Sequence, residues 1–279
     1  MRPAIHRTET ASKTGRCLVL LHGWGFAASV WEETLLQLAR YAENKTGDVP
    51  FQKIYRVDFP GYGASPFAPT SPPALAEALL DALPEGALWC GWSLGAQIAL
   101  QAALSRPEHL VGLALVGATP CFVRREAWPH AQPEAVFTAF AEAVAHDSEA
   151  ALTRFAALVN QRDARLRQTR QTLIAAREIT PPPDPRGLAE GLDWLRQTDL
   201  RAALAGTRIS LPTLLIHGER DALAPVAASE WLAQHLPQAA LEVFPETAHA
   251  PFLSQPEKFA ARLAAFDASI ATPQTRGRR

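Results

Sequence analysis

A chain of 279 residues with 48% hydrophobic and 20% charged side chains has ample material for one large α/β domain, with or without a small subdomain. A formal charge of -1 excludes general nucleic-acid affinity, and no run reaches the ~18 uninterrupted apolar residues of a membrane span, so neither nucleic acid nor membrane is an expected partner. Cys17, Cys90 and Cys121 are odd in number and show no C-x-x-C spacing, which excludes a disulfide framework and a zinc site, and a polar start without an apolar leader points to the cytoplasm.

After a polar lead over residues 1–16, residues 17–21 form a compact apolar strand that ends in His22-Gly23-Trp24-Gly25, a tight turn that exposes backbone. Ser29 reads as the N-cap of a helix whose apolar face is Trp31, Leu35, Leu36 and Leu38. A polar excursion over 43–52 precedes a strand at 54–57, which runs into Asp58-Phe59-Pro60-Gly61-Tyr62-Gly63. The Pro-Gly pair marks a rigid turn, so Asp58 is read as structural. A helix over 72–83 returns the chain to an apolar strand that starts at Leu88 and enters Gly91-Trp92-Ser93-Leu94-Gly95. The helical pattern Ala96, Ile98, Ala99, Leu100, Ala102 and Ala103 follows at once.

Residues 110–116 make another buried strand, after which the alternation stops. Residues 121–198 carry amphipathic helical stretches, a Pro181-Pro182-Pro183 interruption and no strand, which predicts an inserted helical lid. A strand over 212–216, the turn His217-Gly218-Glu219-Arg220-Asp221, a helix over 225–235, a strand over 241–244, a turn carrying His249 and a helix over 256–270 resume the pattern. The core is therefore expected over 1–120 and 199–271, with a basic, disordered tail at 272–279.

Strands separated by helices call for a mostly parallel sheet covered on both faces, with function at the carboxyl ends of its strands. Ser93, Asp221, His249 and the 22–25 turn all follow strands, so they are expected to share one rim. In G-x-S-x-G the serine occupies a strained strand-to-helix turn and the two glycines let strand and helix pass closely. Ser93 is the candidate nucleophile; the plainer reading is a glycine-rich connection. A serine hydroxyl needs a base within reach, and that base needs an acid to fix its tautomer. The chain order Ser93, Asp221, His249 is that of the α/β-hydrolase triad, which sets the expected fold class: a mostly parallel central sheet flanked by helices, with an inserted helical lid.

Among eight histidines, His249 is the best base, in a late loop between small neighbours. His109, His130, His146 and His235 read as solvated, and His217, before a glycine turn, as structural. Asp221 follows a strand by a short turn and is preferred to Asp199; the alternative for Asp221 is a turn-forming aspartate bonded to its own backbone. The amides of Leu94 and Trp24 are placed to meet an oxyanion, each such donor being worth roughly 3 kcal/mol in a transition state. His22 then serves as a scaffold for that turn. No metal or cofactor is required.

Leu18-Val19-Leu20-Leu21-His22-Gly23-Trp24-Gly25, Gly91-Trp92-Ser93-Leu94-Gly95, Pro120-Cys121-Phe122 and Ala248-His249-Ala250-Pro251-Phe252 together resemble the pimeloyl-[acyl-carrier-protein] methyl ester esterase family of biotin biosynthesis. The resemblance runs through nearly the whole core. It implies a serine carboxylesterase that hydrolyses the methyl ester of a pimeloyl chain held on acyl carrier protein, releasing methanol. It further implies substrate contacts at Trp24, Ser93, Leu94, His249 and the segment Phe155, Ala156, Ala157, Leu158 and Val159. Phe155 and Leu158 lie three apart on one helix face, where a substrate contact and ordinary packing to the core are both open.

Arg154, Arg162, Arg165, Arg167, Arg170 and Arg177 face only Asp163 between 154 and 177. Such a basic surface suits an acidic carrier protein that presents its cargo on a phosphopantetheine arm, and it equally suits a merely solvated helix face. The resemblance implies that Arg154 and Arg167 dock the carrier. The expected protein is a cytoplasmic monomer. Two rivals stand beside it: a broad-specificity short-chain esterase or another hydrolase on the same fold, and a catalytically silent ligand receptor built on the hydrolase scaffold.

Overall fold

The computed structural model describes residues 3–270 apart from 11, 13, 14, 46–49, 207 and 208, so the 272–279 stretch expected to be disordered lies outside the described residues. Strands form at β1 (Ala4–Glu9), β2 (Arg16–Leu21), β3 (Phe51–Asp58), β4 (Ala87–Trp92), β5 (Leu110–Val116), β6 (Thr213–Gly218) and β7 (Ala239–Phe244). Among the described residues they make one seven-stranded sheet in the order β1-β3-β2-β4-β5-β6-β7. Only β1 runs antiparallel to its neighbour. Strands β4 and β6 are buried at every position, as their unbroken apolar sequences require in a parallel sheet with both faces covered.

The edge strand β1 falls within what the sequence presents as a polar lead. Its residues pair through the backbone with β3 alone and stay largely half-exposed, so no apolar run announces it. At the opposite edge β7 has the same mixed burial.

The helices are α1 (Glu32–Lys45), α2 (Pro72–Ala82), α3 (Leu94–Ser105), α4 (Glu134–His146), α5 (Ser148–Val159), α6 (Leu166–Glu178), α7 (Pro185–Gln197), α8 (Arg201–Gly206), α9 (Val226–His235), α10 (Pro251–Ser254) and α11 (Pro256–Ser269). In α2, Ser71 accepts from the Ala74 amide at 3.4 Å and prolines fill the first positions, where a missing N–H costs nothing. Helix α3 carries alanine at 96, 99, 102 and 103, all buried, which lets it lie close on the sheet. Ser29 is not the N-cap of α1. It sits within a short 3₁₀ turn, Ala28–Trp31, and its hydroxyl donates to the Ala176 carbonyl of α6 at 2.6 Å.

Helices α4 to α7 lie between β5 and β6 and contribute no strand to the sheet. A lone bridge between Cys121 and Asp199, with the Leu200 amide donating to the Pro120 carbonyl at 2.9 Å, holds the two ends of this segment together. After β2 the chain pairs outward with β3 and then crosses back to β4 on the other side of β2. The strand order thus reverses between β2 and β4, and a crevice opens where their carboxyl ends diverge. Into that crevice emerge the turn bearing Trp24 and the elbow bearing Ser93.

Candidate active site

Ser93 joins β4 to α3 with φ 55° and ψ -114°, a conformation rare for a residue with a side chain. The flanking glycines explain how the turn survives. A Cβ on Gly91 would lie 2.3 Å from the Gly95 carbonyl oxygen, and one on Gly95 would lie 2.4 Å from that of Leu21. The Ser93 amide donates to the Val116 carbonyl of β5 at 2.9 Å, which pins the elbow to the sheet. The hydroxyl makes no capping bond to α3, and Ser93 lines a cavity.

Asp221 follows β6 and is wholly buried. Its Oδ1 accepts from the amides of Leu223 at 2.8 Å and Ala224 at 2.9 Å, so it is a turn former as well as a partner for histidine. Its Oδ2 lies 2.6 Å from His249 Nδ1. Burial opposes the charge on Asp221, but His249 and His217 together outweigh it and hold the carboxyl far below the usual carboxylate range. An ionised carboxylate only accepts hydrogen bonds, so Nδ1 of His249 carries the proton and Nε2 presents its lone pair. That Nε2 is buried and has no hydrogen-bond partner among the described residues.

The imidazole packs where a Cβ on Gly117 would stand, 2.9 Å from its Cε1, and Gly117 directly follows the residue that accepts from Ser93. Trp92, next to Ser93, donates its Nε1 proton to the His249 carbonyl at 2.8 Å. The structure therefore forms the Asp221–His249 link and sets the imidazole beside the elbow, with the Ser93 to Nε2 hydrogen bond left open. In unliganded sites such a bond commonly tightens only when substrate is held.

His217, expected to be structural, supports the acid from behind. Its Nε2 donates to the Ala224 carbonyl at 2.8 Å and stands 3.2 Å from Asp221 Oδ2, while Ser229 Oγ meets its Nδ1 at 2.7 Å. Its place four residues before Asp221 was the available signal. His22, by contrast, is the expected scaffold. One ring nitrogen meets the Gly23 carbonyl at 2.8 Å and the other accepts from the Phe59 amide at 3.0 Å. Burial lowers its pKa to about 4, so it is neutral. Asp58 is likewise occupied, accepting from the amides of Ala28 at 2.7 Å and Ala64 at 2.9 Å.

The two amides expected to meet an oxyanion belong to the elbow and to the turn after β2. Leu94 is the first residue of α3, so its N–H has no acceptor within the helix, and neither it nor the Trp24 amide donates to any of the described residues. The Trp24 indole is fixed by donation to the Leu188 carbonyl of α7 at 2.9 Å and packs edge-on to Phe155, with ring centroids 4.9 Å apart.

A cavity of about 230 Å³ opens over Ser93. Of the residues implied as substrate contacts, Trp24, Ser93, Phe155 and Leu158 line it. The others are placed elsewhere. Leu94 and His249 are buried beneath, Ala156 faces a second cavity behind α5, and Ala157 is on the surface. Val159 is fully buried, with its carbonyl accepting from the His249 amide at 3.1 Å. Five consecutive helical residues cannot all face one cavity, because successive side chains turn by about 100°. The rest of the wall is mostly apolar, from Phe122, Val136, Phe137, Phe140, Leu192, Leu195, Ala222 and Leu223, with Gln132 and Gln161 as its polar members. Phe137 and Phe140 lie three apart on α4, a signal visible in the sequence, but which face of that helix met the cavity was not.

Arg154 and Arg167 are exposed and form no ion pair among the described residues, whereas Arg177 pairs with Glu149 at 3.0 Å. Asp163 is not the surface counter-charge that the sequence count implied. It is 6% exposed and turned inward to the loop of His249.

Residues 18–262 match the Alpha/beta hydrolase family. The chain is 39% identical over 270 residues to the pimeloyl-[acyl-carrier protein] methyl ester esterase of Nitrosomonas europaea, covering 95% of this chain and 99% of that one. It is 41% identical over 245 residues to the enzyme of the same name from Aromatoleum aromaticum, covering 86% and 93%. Among solved structures, an esterase from Exiguobacterium antarcticum superposes with a TM-score of 0.81 at 24% identity over 96% of each chain. A bromoperoxidase from Bacillus anthracis does so with 0.79 at 20% identity over 95% of each, and these two likenesses speak to fold alone.

Proposed function

The chain belongs to the alpha/beta hydrolase family, among its pimeloyl-[acyl-carrier protein] methyl ester esterases, and we propose that it demethylates pimeloyl-[acyl-carrier protein] methyl ester in biotin biosynthesis with Ser93 as nucleophile, His249 as base and Asp221 as acid. Ser93 Oγ attacks the ester carbonyl while His249 Nε2 takes its proton. The negative charge that develops on the carbonyl oxygen is met by the amides of Leu94 and Trp24, fixed in place before the reaction begins. The imidazolium, stabilised by Asp221, returns the proton to the departing methoxide, and methanol leaves. Water activated by the same nitrogen then cleaves the acyl-enzyme, which frees the carboxylate and restores Ser93.

The observation that carries this reading is the 2.6 Å contact between a buried carboxylate and an imidazole whose other nitrogen is buried and unpartnered, on a loop bonded to the residue that precedes a strained serine. The cavity supports the acyl group. Its largely aromatic and aliphatic wall suits a methylene chain, and burying roughly five methylenes at ~0.8 kcal/mol each gives at most ~4 kcal/mol, enough to select for chain length. We further propose that residues 121–198 form a lid over the 1–120 and 199–271 core, that Arg154 and Arg167 on it receive the acidic carrier, and that the enzyme works as a cytoplasmic monomer without metal or cofactor.

The test is labelling and turnover together. A fluorophosphonate probe is expected to label Ser93, and Ser93→Ala to lose both labelling and methanol release from carrier-bound ester, with an unchanged melting midpoint. Retained turnover in Ser93→Ala would refute the assignment. Efficient cleavage of short p-nitrophenyl esters with no action on carrier-bound ester would instead support the broad-specificity esterase.

A further inference from the structure

The backbone that carries the His249 imidazole is held by the turn after α5. The Ala248 amide donates to Asp163 Oδ2 at 2.9 Å and the His249 amide to the Val159 carbonyl at 3.1 Å. In return the Ala164 amide donates to the Glu246 carbonyl at 3.0 Å. The other oxygen of Asp163 accepts from Ser254 Oγ at 2.8 Å, at the end of the short helix that follows His249, and from the Arg165 amide at 2.7 Å. One carboxylate thus ties both flanks of the histidine loop to the helix whose Phe155 and Leu158 line the cavity.

Local turn formation explains only the bond to Arg165. A buried carboxylate is costly unless its lone pairs are met, and here the donors come from residues 85 and 91 positions away. Backbone strain gathers at the same junction. Among the described residues the non-glycine positions with positive φ are Ser93, Ala127, Arg162 and Glu246, and the last two, at 72° and 60°, lie on the facing sides of this contact. The loop of Asp221 joins as well, since the Arg220 amide donates to the Thr247 carbonyl at 2.8 Å.

We propose that Asp163 is a positioning residue for the catalytic base: it sets the His249 backbone against Asp221 and Ser93 and registers it with the cavity wall on α5. The proposal rests on the reading of His249 as the base. It is tested in the full chain with Asp163→Asn, Ser254→Ala and His249→Ala, using a p-nitrophenyl ester well below each variant's melting midpoint, with the rates of the first two divided by the sites a fluorophosphonate titrates and that of the third by folded protein. Because displacing a catalytic group by about 1 Å can cost up to ~100-fold, Asp163→Asn is expected to lower kcat about 10-fold or more at nearly constant KM, and Ser254→Ala to lower it less. A side chain that only stabilises the fold would lower the melting midpoint and leave kcat per titrated site alone. Wild-type kcat in Asp163→Asn, or in Ser254→Ala should the first not fold, overturns the proposal, as does a rise in KM at constant kcat. Turnover retained by His249→Ala overturns the base assignment itself and the proposal with it, whereas loss in His249→Ala alone leaves the base standing without the latch.

Discussion

His249 and His22 are both buried beside carboxylates and do opposite things. His249 keeps Nε2 unpartnered, which suits a proton acceptor, while both nitrogens of His22 are engaged to hold the turn that carries Trp24. The engaged state of His22 requires a neutral ring, and burial lowers its pKa from the ordinary 6.5 to about 4. Between those values the unfolded chain binds a proton at His22 that the folded chain does not. This contribution is therefore complete above pH 6.5 and is lost as pH falls toward 4, amounting to ~3 kcal/mol over the window. Asp221 and Asp58, held below the usual carboxylate range, act in the same direction but only at lower pH. The melting midpoint is thus expected to fall already between pH 6.5 and 5, above the region where carboxylates titrate. In His22→Gln, whose starting midpoint is lower, that slope should flatten. An equal slope in wild type and variant would assign the acid sensitivity elsewhere.

At the scale of elements, the crossing of β4, the elbow and α3 is fixed by contacts too close for any side chain. Gly95→Ala would set a Cβ 2.4 Å from the Leu21 carbonyl oxygen and 2.7 Å from that of His22, both backbone atoms with no room to yield. Relief requires α3 to lift from β2, at a cost of about 3 kcal/mol or more, and the lift also displaces Ser93 and the Leu94 amide. Stability in urea and turnover should therefore fall together, whereas Ser93→Ala separates them; a variant with normal stability would show that the crossing has slack. This elbow was legible in the sequence because its constraint is local, and so were the buried strands, whose apolar runs reflect two covered faces. What could not be read depends on distant partners. Strand β1 has a polar sequence because it is an edge strand that joins the sheet mainly through its backbone, and Ser29 is a tether and not a cap because its partner Ala176 is 147 positions away. Asp163 counted as one surface charge until the fold set it against Ala248. Likewise the helices of 121–198 were visible as amphipathic stretches, but their periodicity does not say which face meets the cavity.

Across the whole molecule, the 121–198 segment is tied to the rest of the chain by many hydrogen bonds, and three of them reach the turns and loop that carry Trp24, Ser29 and His249. The Trp24 indole donates to Leu188, the Ser29 hydroxyl donates to Ala176, and the Val159 carbonyl accepts from His249. Other side chains of the segment stay exposed. Of these, Arg154 and Arg167 carry charges with no carboxylate partner among the described residues. An exposed unpaired arginine adds little to stability, so reversing its sign should leave the fold nearly unchanged. Its effect on an acidic carrier is different, because attraction between exposed charges acts over the Debye length, about 10 Å at 0.1 M salt, and governs association more than chemistry. The double variant Arg154→Glu, Arg167→Glu is therefore expected to lose about tenfold in kcat/KM on carrier-bound ester at low salt, mostly through KM, and to keep its rate on a free short ester. Raising the salt should narrow the gap between variant and wild type, since screening removes the attraction from one and the repulsion from the other. Equal losses on both substrates, or a gap indifferent to salt, would mean that the carrier approaches over another face.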